Sequence, residues 1–345
     1  MHLCQPPQVL VTHPASRLHD YFGGQALAGL RQFADVRLHP GDEDLAGHAL
    51  VDAAQGCALV IAYRQTPFDA PVLEALPDLL AVVRCAVDIR TIDVAAASRL
   101  GVLVTQASAG FMAAVSEWVV GAMVELSRSI GAAAVQYHAG VRVQPRMGRE
   151  LRGATLGVIG YGQIARYLCP VAQALGMQVR VADPHARVDA PGLVPCTLEV
   201  LLADADYVVC LAPATTATEN MMDAGAFGSM KRGTYFINAA RGNLVDDAAL
   251  LAALDSGHLA GAAVDVGRAP DQMPSPAVAR HPRVIATPHI GGLTPPAITH
   301  QALETVAQAA AILRGQIPQG AVNAADATRL RQQVRSGWPG APGRP

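Results

Sequence analysis

The stretch from Thr155 to Asp183, TLGVIGYGQIARYLCPVAQALGMQVRVAD, constrains this chain more than any other. A short apolar run containing Val158 and Ile159 leads directly into Gly160-x-Gly162-x-x-Ala165. A helical pattern follows, then a second apolar run that ends in an acid. That layout is a βαβ unit suited to a dinucleotide. Gly160 permits a tight turn out of the strand. Gly162 has no Cβ, so the backbone can approach a pyrophosphate, and Ala165 lets helix and strand pack closely. Backbone N–H groups at the helix start, those of Gln163 and Ile164 among them, offer donors and a partial positive charge to the phosphates. Asp183 stands about 20 residues on, where a carboxylate holds ribose hydroxyls and repels a 2′-phosphate. The cofactor expected from these residues is NAD rather than NADP, with His185 and Arg187 nearby as the residues that weaken the discrimination.

A chain of 345 residues is expected to form two domains. Short apolar runs alternate with helical patterns throughout, which predicts an α/β protein with open parallel sheets. The strand candidates are 8–12, 35–38, 58–62, 80–84 and 102–105 in the first part. In the second they are 155–159, 178–182, 207–211, 234–238, 261–265 and 284–286. Six strands around one phosphate loop make a doubly wound dinucleotide-binding domain over 108–293. Residues 1–107 then form a substrate domain, to which 294–328 is expected to return through a helix at 295–314 with Pro at its first turn. The polar, then Gly/Pro-rich stretch 329–345 is expected to be a flexible tail without chemistry. A long helix over 112–130 is apolar on too many faces for a solvated surface helix. It is expected to serve as a core linker or to pack against a second subunit.

Composition narrows the partners. With 26 basic and 28 acidic residues the formal charge is −2, which gives no reason to expect nucleic acid or an anionic membrane. Six scattered cysteines form no C-x-x-C pair, so reduced thiols fit better than disulfides, and no metal site is expected. No uninterrupted apolar stretch nears the length of a membrane span, and the N-terminus lacks a basic segment followed by an apolar one. The expected setting is cytoplasmic.

Four segments from the phosphate loop onward carry chemistry: the Gly-rich unit itself, MKRGTYFINAARGNLVDDAALLAAL, GAAVDV and VIATPHIGG. In this order and spacing they resemble the D-isomer-specific 2-hydroxyacid dehydrogenases. The resemblance extends upstream through VRCAVDIRTIDVAAASRLGVLVT and covers roughly residues 55–310. It implies a flavodoxin-like substrate domain beside the nucleotide domain, NAD(H), a small acid substrate and a homodimer built around the linker helix. Arg241 follows Asn238-Ala239-Ala240 at a strand end, where a guanidinium can grip a carboxylate with paired, charge-assisted hydrogen bonds. By resemblance it holds the substrate carboxylate and polarises the carbonyl, with Ala239 and Ala240 beside the cofactor. His289 also lies just beyond a strand, and histidine suits proton transfer near neutrality. The resemblance makes it the general acid/base, with Gly291 and Gly292 near the nicotinamide. It places Asp265 against the nicotinamide carboxamide.

Two departures stand out. The family usually has a Glu five residues after the Asp265 position, followed by Pro, and that Glu pairs with the catalytic histidine. Here the segment is DVGRAPDQMP and the position holds Pro270. Asp271 is next and could take the role after a one-residue shift; its other reading is a turn residue after proline. Upstream, the family's G-V-G-V-D loop is replaced by Ala86-Val87-Asp88-Ile89-Arg90. Asp88 would repel a carboxylate, and Arg90 could compensate or bind a second acidic group. The expected activity is hydride transfer between NAD(H) and a 2-hydroxy/2-oxo acid. The rival readings are a non-catalytic NAD-binding regulator of the same fold and a dehydrogenase with another kind of substrate.

Overall fold

The computed structural model describes residues 6–335, with the side chain of Asp271 outside the described set. The described residues divide into two compact units, one of 6–110 with 295–335 and one of 111–294.

The first unit carries a five-stranded sheet of β1 (Gln8–Val11), β2 (Asp35–Leu38), β3 (Leu59–Ala62), β4 (Ala81–Arg84) and β5 (Leu103–Gln106). Its order is β2-β1-β3-β4-β5 and every pairing is parallel. Parallel strands inside a sheet are covered on both faces, which is why β3 and β4 read as apolar runs, while the edge strand β2, DVRL, is only partly buried. Alternate side chains separate into two cores. Val9, Val11, Leu59 and Ile61 enter one, and Leu10, Val60 and Ala62 enter the other. The helix Pro295–Leu313 covers the first face with Ala302, Ala309 and Ile312, at helical spacing.

The second unit holds a seven-stranded parallel sheet: β6 (Thr155–Ile159), β7 (Gln178–Ala182), β8 (Leu193–Pro195), β9 (Tyr207–Cys210), β10 (Tyr235–Asn238), β11 (Gly261–Val264) and β12 (Val284–Ala286). The order β12-β11-β10-β9-β6-β7-β8 reverses direction at β6, the doubly wound arrangement that puts a ligand at the C-terminal strand ends. The edge strand β8 is absent from the expectations above. Its three residues end in Pro195 and only Leu193 is partly buried, too little for an apolar pattern to register.

Two other differences have physical causes. The helix expected over 112–130 is Met112–Arg128; Ser129 takes a left-handed conformation (φ 51°) and a second helix, Ile130–His138, leaves at 67°. In the first helix Val115, Val119 and Met123 are buried, with Val119 and Met123 in the unit's own core, while Met112, Trp118, Val120, Val124 and Leu126 are only partly buried. The large apolar residues that are more than half exposed lie further on, at Ile130, Val135, Tyr137, Val141 and Met147. Of the expected tail 329–345, residues 329–335 belong to the helix Thr328–Arg335, and 336–345 lie outside the described residues. Leu330 is buried in the first core, and Arg329 donates to the carbonyls of Leu76 (2.7 Å) and Leu79 (2.9 Å). One apolar anchor in a polar octet does not show as a periodic pattern. No single helix among the described residues is long and apolar enough to cross a membrane.

Candidate active site

The phosphate corner is built by β6, the turn after it and the helix Gln163–Ala174. Gly160 has φ 92°, and a Cβ there would stand 2.8 Å from the backbone of Ala212, so only glycine fits. Gly162 is the helix N-cap and supplies no side-chain acceptor to the first N–H groups. A Cβ on Gly162 would meet no described atom within 4 Å, so the space in front of those donors is open. Ala165 is fully buried against the sheet. Asp183, just past β7, is tied to this corner. Its Oδ2 accepts the Tyr161 N–H (2.7 Å), and its Oδ1 accepts those of His185 (2.8 Å) and Ala186 (2.9 Å). Partial burial opposes ionisation, but the three backbone donors outweigh it and hold the carboxyl below its usual range. These residues fit a dinucleotide: an open cradle of backbone donors and a firmly ionised acid one strand away.

Three loops leave the C-terminal ends of the neighbouring strands β10, β11 and β12. Each carries an expected site residue. After β10, the buried Asn238 side chain spans the turn that presents Arg241. Its Nδ2 donates to the Arg241 carbonyl (2.9 Å), and its Oδ1 accepts the Ala240 N–H (3.1 Å). Arg241 is partly buried, with extended backbone and one guanidinium donor on the Ala240 carbonyl (2.7 Å). After β12, His289 has a left-handed backbone, φ 56°, which costs about 1–3 kcal/mol in a non-glycine residue. That conformation is held from β11. Asp265 is 4% exposed, and its Oδ1 accepts from Thr287 Oγ1 (2.6 Å) and the Ile290 N–H (2.8 Å), its Oδ2 from the Gly291 N–H (2.7 Å). A Cβ on Gly291 would fall 2.8 Å from that carboxylate, so the glycine makes the close approach possible. Asp265 therefore grips the loop on either side of His289.

The structure thus joins Asp265 to the His289–Gly291 loop and Asp183 to the phosphate turn. It places Ala239, partly buried, and Ala240, buried, in the Arg241 turn. Gly292 lies against the Phe111 ring. Asp271 belongs to the short 3-10 turn Pro270–Gln272, and the position of its side chain lies outside the described residues. Asp88 and Arg90 belong to the other unit. There Arg90 closes on Asp88 with Nε to both carboxylate oxygens (3.1 Å each) and Nη2 to Oδ2 (2.8 Å). The buried Arg84 at the end of β4 braces the same loop through Thr91 Oγ1 (2.7 Å) and the Thr66 carbonyl (2.9 Å). Burial lowers its pKa to about 10, with Asp88 as the opposing charge. Asn238 and Thr287 are the residues that sequence reasoning passed over. Both flank a recognised site residue, but a polar side chain at a strand end does not announce that it bonds its own loop. Among the described residues no cluster of His, Cys, Asp or Glu is placed to hold a metal ion.

Comparison with known proteins identifies the family. Residues 120–291 match the family described as D-isomer specific 2-hydroxyacid dehydrogenase, NAD binding domain. The chain is 36% identical over 250 residues to an (S)-sulfolactate dehydrogenase of Chromohalobacter salexigens, covering 71% of this chain and 81% of that protein. It is 32% identical over 323 residues to the chloroplastic D-3-phosphoglycerate dehydrogenase 3 of Arabidopsis thaliana, covering 92% of this chain and 53% of that protein. It thus spans about half the length of that relative. Among solved structures, the TT0316 protein from Thermus thermophilus superposes with a TM-score of 0.81 at 29% identity, over 91% of this chain and 99% of that one. The chain belongs to the D-isomer-specific 2-hydroxyacid dehydrogenase family. Its cofactor is NAD.

Proposed function

We propose that the protein interconverts a 2-hydroxy acid and the corresponding 2-oxo acid with NAD(H). The observation that carries this reading is the placement of Arg241, Asp265 and His289 on loops after three adjacent parallel strands, beside a phosphate corner with open donors. NADH, when bound, supplies the hydride. In the reductive direction Arg241 holds the substrate carboxylate through paired hydrogen bonds and polarises the carbonyl. His289 donates the proton that the carbonyl oxygen takes up as its carbon accepts hydride. In the oxidative direction it takes that proton back. Asp265 keeps the imidazole on station by fixing its loop. Asp271 is the candidate partner of His289 where the family's Glu is replaced by Pro270. In the other unit Arg90 pairs with Asp88 (2.8 Å). Relatives named for sulfolactate and for phosphoglycerate, both 2-hydroxy acids, support this substrate class.

The test is a screen of the purified protein with NADH against glyoxylate, pyruvate, hydroxypyruvate, sulfopyruvate and phosphohydroxypyruvate, following loss of NADH absorbance. Turnover of one of them supports the proposal. NADH binding without reduction of any 2-oxo acid would favour the regulator reading, to which the missing Glu points.

A further inference from the structure

Arg268 lies three residues beyond Asp265, within the segment that departs from the family pattern. Its guanidinium reaches two other strand-end loops. In the loop after β9, Nη1 donates to Glu219 Oε1 (2.9 Å) and Nη2 to Asn220 Oδ1. In the loop after β10, Nη2 donates to the carbonyls of Asn243 (3.0 Å) and Val245 (3.2 Å), and Nε also reaches Val245 (3.3 Å). Glu219 closes the ring, since its Oε2 accepts from Asn243 Nδ2 (3.2 Å). The guanidinium, with help from Asn243, holds the Glu219 carboxyl below its usual range. Two backbone bonds add to the bracket, from Asn220 N to the Asn243 carbonyl (2.8 Å) and from Met222 N to the Leu244 carbonyl (2.9 Å).

The same segment touches the Arg241 turn directly. A Cβ on Gly242 would fall 2.1 Å from the Gly267 carbonyl carbon, so the two glycine backbones are in contact. The turn that presents Arg241 is therefore held on its near side by Asn238 and on its far side, at 243 and 245, by Arg268. An exposed ion pair alone contributes little. A planar fork that serves one carboxylate, one amide and two carbonyls fixes a geometry instead, and a lysine cannot reproduce it.

We infer that Arg268, braced by Glu219, is a positioning residue for Arg241: it fixes the Gly242–Val245 turn and with it the direction in which the Arg241 guanidinium meets the substrate carboxylate. For its catalytic consequence this rests on the proposed reaction.

The experiment compares wild type, Arg268→Ala, Arg268→Lys and the milder Glu219→Gln. It measures kcat and KM for the 2-oxo acid that wild type reduces best, NADH affinity by fluorescence, and amide hydrogen exchange over residues 241–246. Arg268→Ala should raise KM by about 10- to 100-fold, the cost of a small misplacement of an anchoring group, and leave NADH affinity unchanged. Arg268→Lys should recover only part of the loss, and Glu219→Gln should move KM in the same direction. Exchange at 242–245 should accelerate in Arg268→Ala. Combined with Arg241→Lys, Arg268→Ala should cost less than it does alone, because the two act as a unit. A lowered Tm with KM unchanged, or a fully additive double mutant, would overturn the inference. If wild type reduces no 2-oxo acid, the proposed function falls separately. The bracket is then judged by exchange, and unchanged exchange in Arg268→Ala and Glu219→Gln rejects it.

Discussion

Arg241 and Asp183 show how much one side chain decides when its backbone is already held. Arg241 projects from a turn whose carbonyl and neighbouring N–H are both bonded by Asn238. Its truncation should therefore remove a charge partner without collapsing the turn. Arg241→Ala is expected to lower kcat/KM for 2-oxo acid reduction by more than about 100-fold, the scale of losing one member of a charged recognition pair, with NADH affinity within a few-fold. Steady-state kinetics beside an NADH titration checks both halves. At Asp183 the three backbone donors keep the carboxylate ionised, and that fixed negative charge is the basis for rejecting a 2′-phosphate. Dissociation constants for NADH and NADPH should favour NADH in wild type and move together in Asp183→Asn. Tighter NADPH binding by wild type would reverse the assignment. His289 is a different case, because its left-handed backbone is flanked on both sides by residues that Asp265 bonds.

At the scale of elements, the phosphate turn is the part with least freedom. Gly160 combines a positive φ with backbone 2.8 Å from a prospective Cβ, so relaxation would have to move the β9 loop. Gly160→Ala should destabilise the protein by about 2–4 kcal/mol, combining left-handed strain with a backbone clash, and abolish NADH binding. Thermal unfolding and fluorescence titration read the two effects. The five-stranded sheet has its own weak point. His13, just past β1, is 1% exposed between the rings of Phe22 and Tyr63, and its Nδ1 has no hydrogen-bond partner among the described residues. Burial, with the Arg84 charge adding, lowers its pKa to about 3. The folded state therefore holds the imidazole neutral where the unfolded chain protonates it from about pH 6.5 downward. Stability is retained above that pH and declines towards pH 3 by up to about 1.4 kcal/mol per pH unit from this group. Denaturant unfolding at several pH values should show that slope in wild type and a shallower one in His13→Phe.

At the scale of the whole molecule, the large apolar residues that are more than half exposed among the described residues all fall in one stretch. Ile130, Val135, Tyr137, Val141 and Met147 lie between 51% and 100% exposed, and none of the helix Ile130–His138 is buried. A contiguous exposed apolar segment of this kind marks an association surface. A homodimer is the expected assembly, its interface running from the partly buried residues of Met112–Arg128 into 130–147. Light scattering at micromolar concentration should give twice the chain mass, and Val135→Asp with Tyr137→Glu should give a monomer that still binds NADH. A monomeric wild type would defeat the expectation.

What the sequence determined by itself is what local chemistry can specify. Buried parallel strands must be apolar on both faces, so every strand but β8 was legible as a short run, β6 and β7 among them to the residue. A phosphate turn demands glycine where φ is positive, so Gly160 stood out without any structure. The spacing of Arg241, Asp265 and His289 was legible because each sits just past such a strand. Tertiary structure decided what depends on residues distant in the chain. Asp265 grips a loop more than 20 residues later, and Arg268 reaches back to Glu219, across 49 residues. Neither contact leaves a periodic trace. The edge strand Leu193–Pro195 and the terminal helix Thr328–Arg335 were missed for the same reason: with one or two apolar anchors each, they are ordered by the surface they pack on. Ser129 shows the limit at a single residue, since its neighbours continue a helical pattern and only packing reveals the bend.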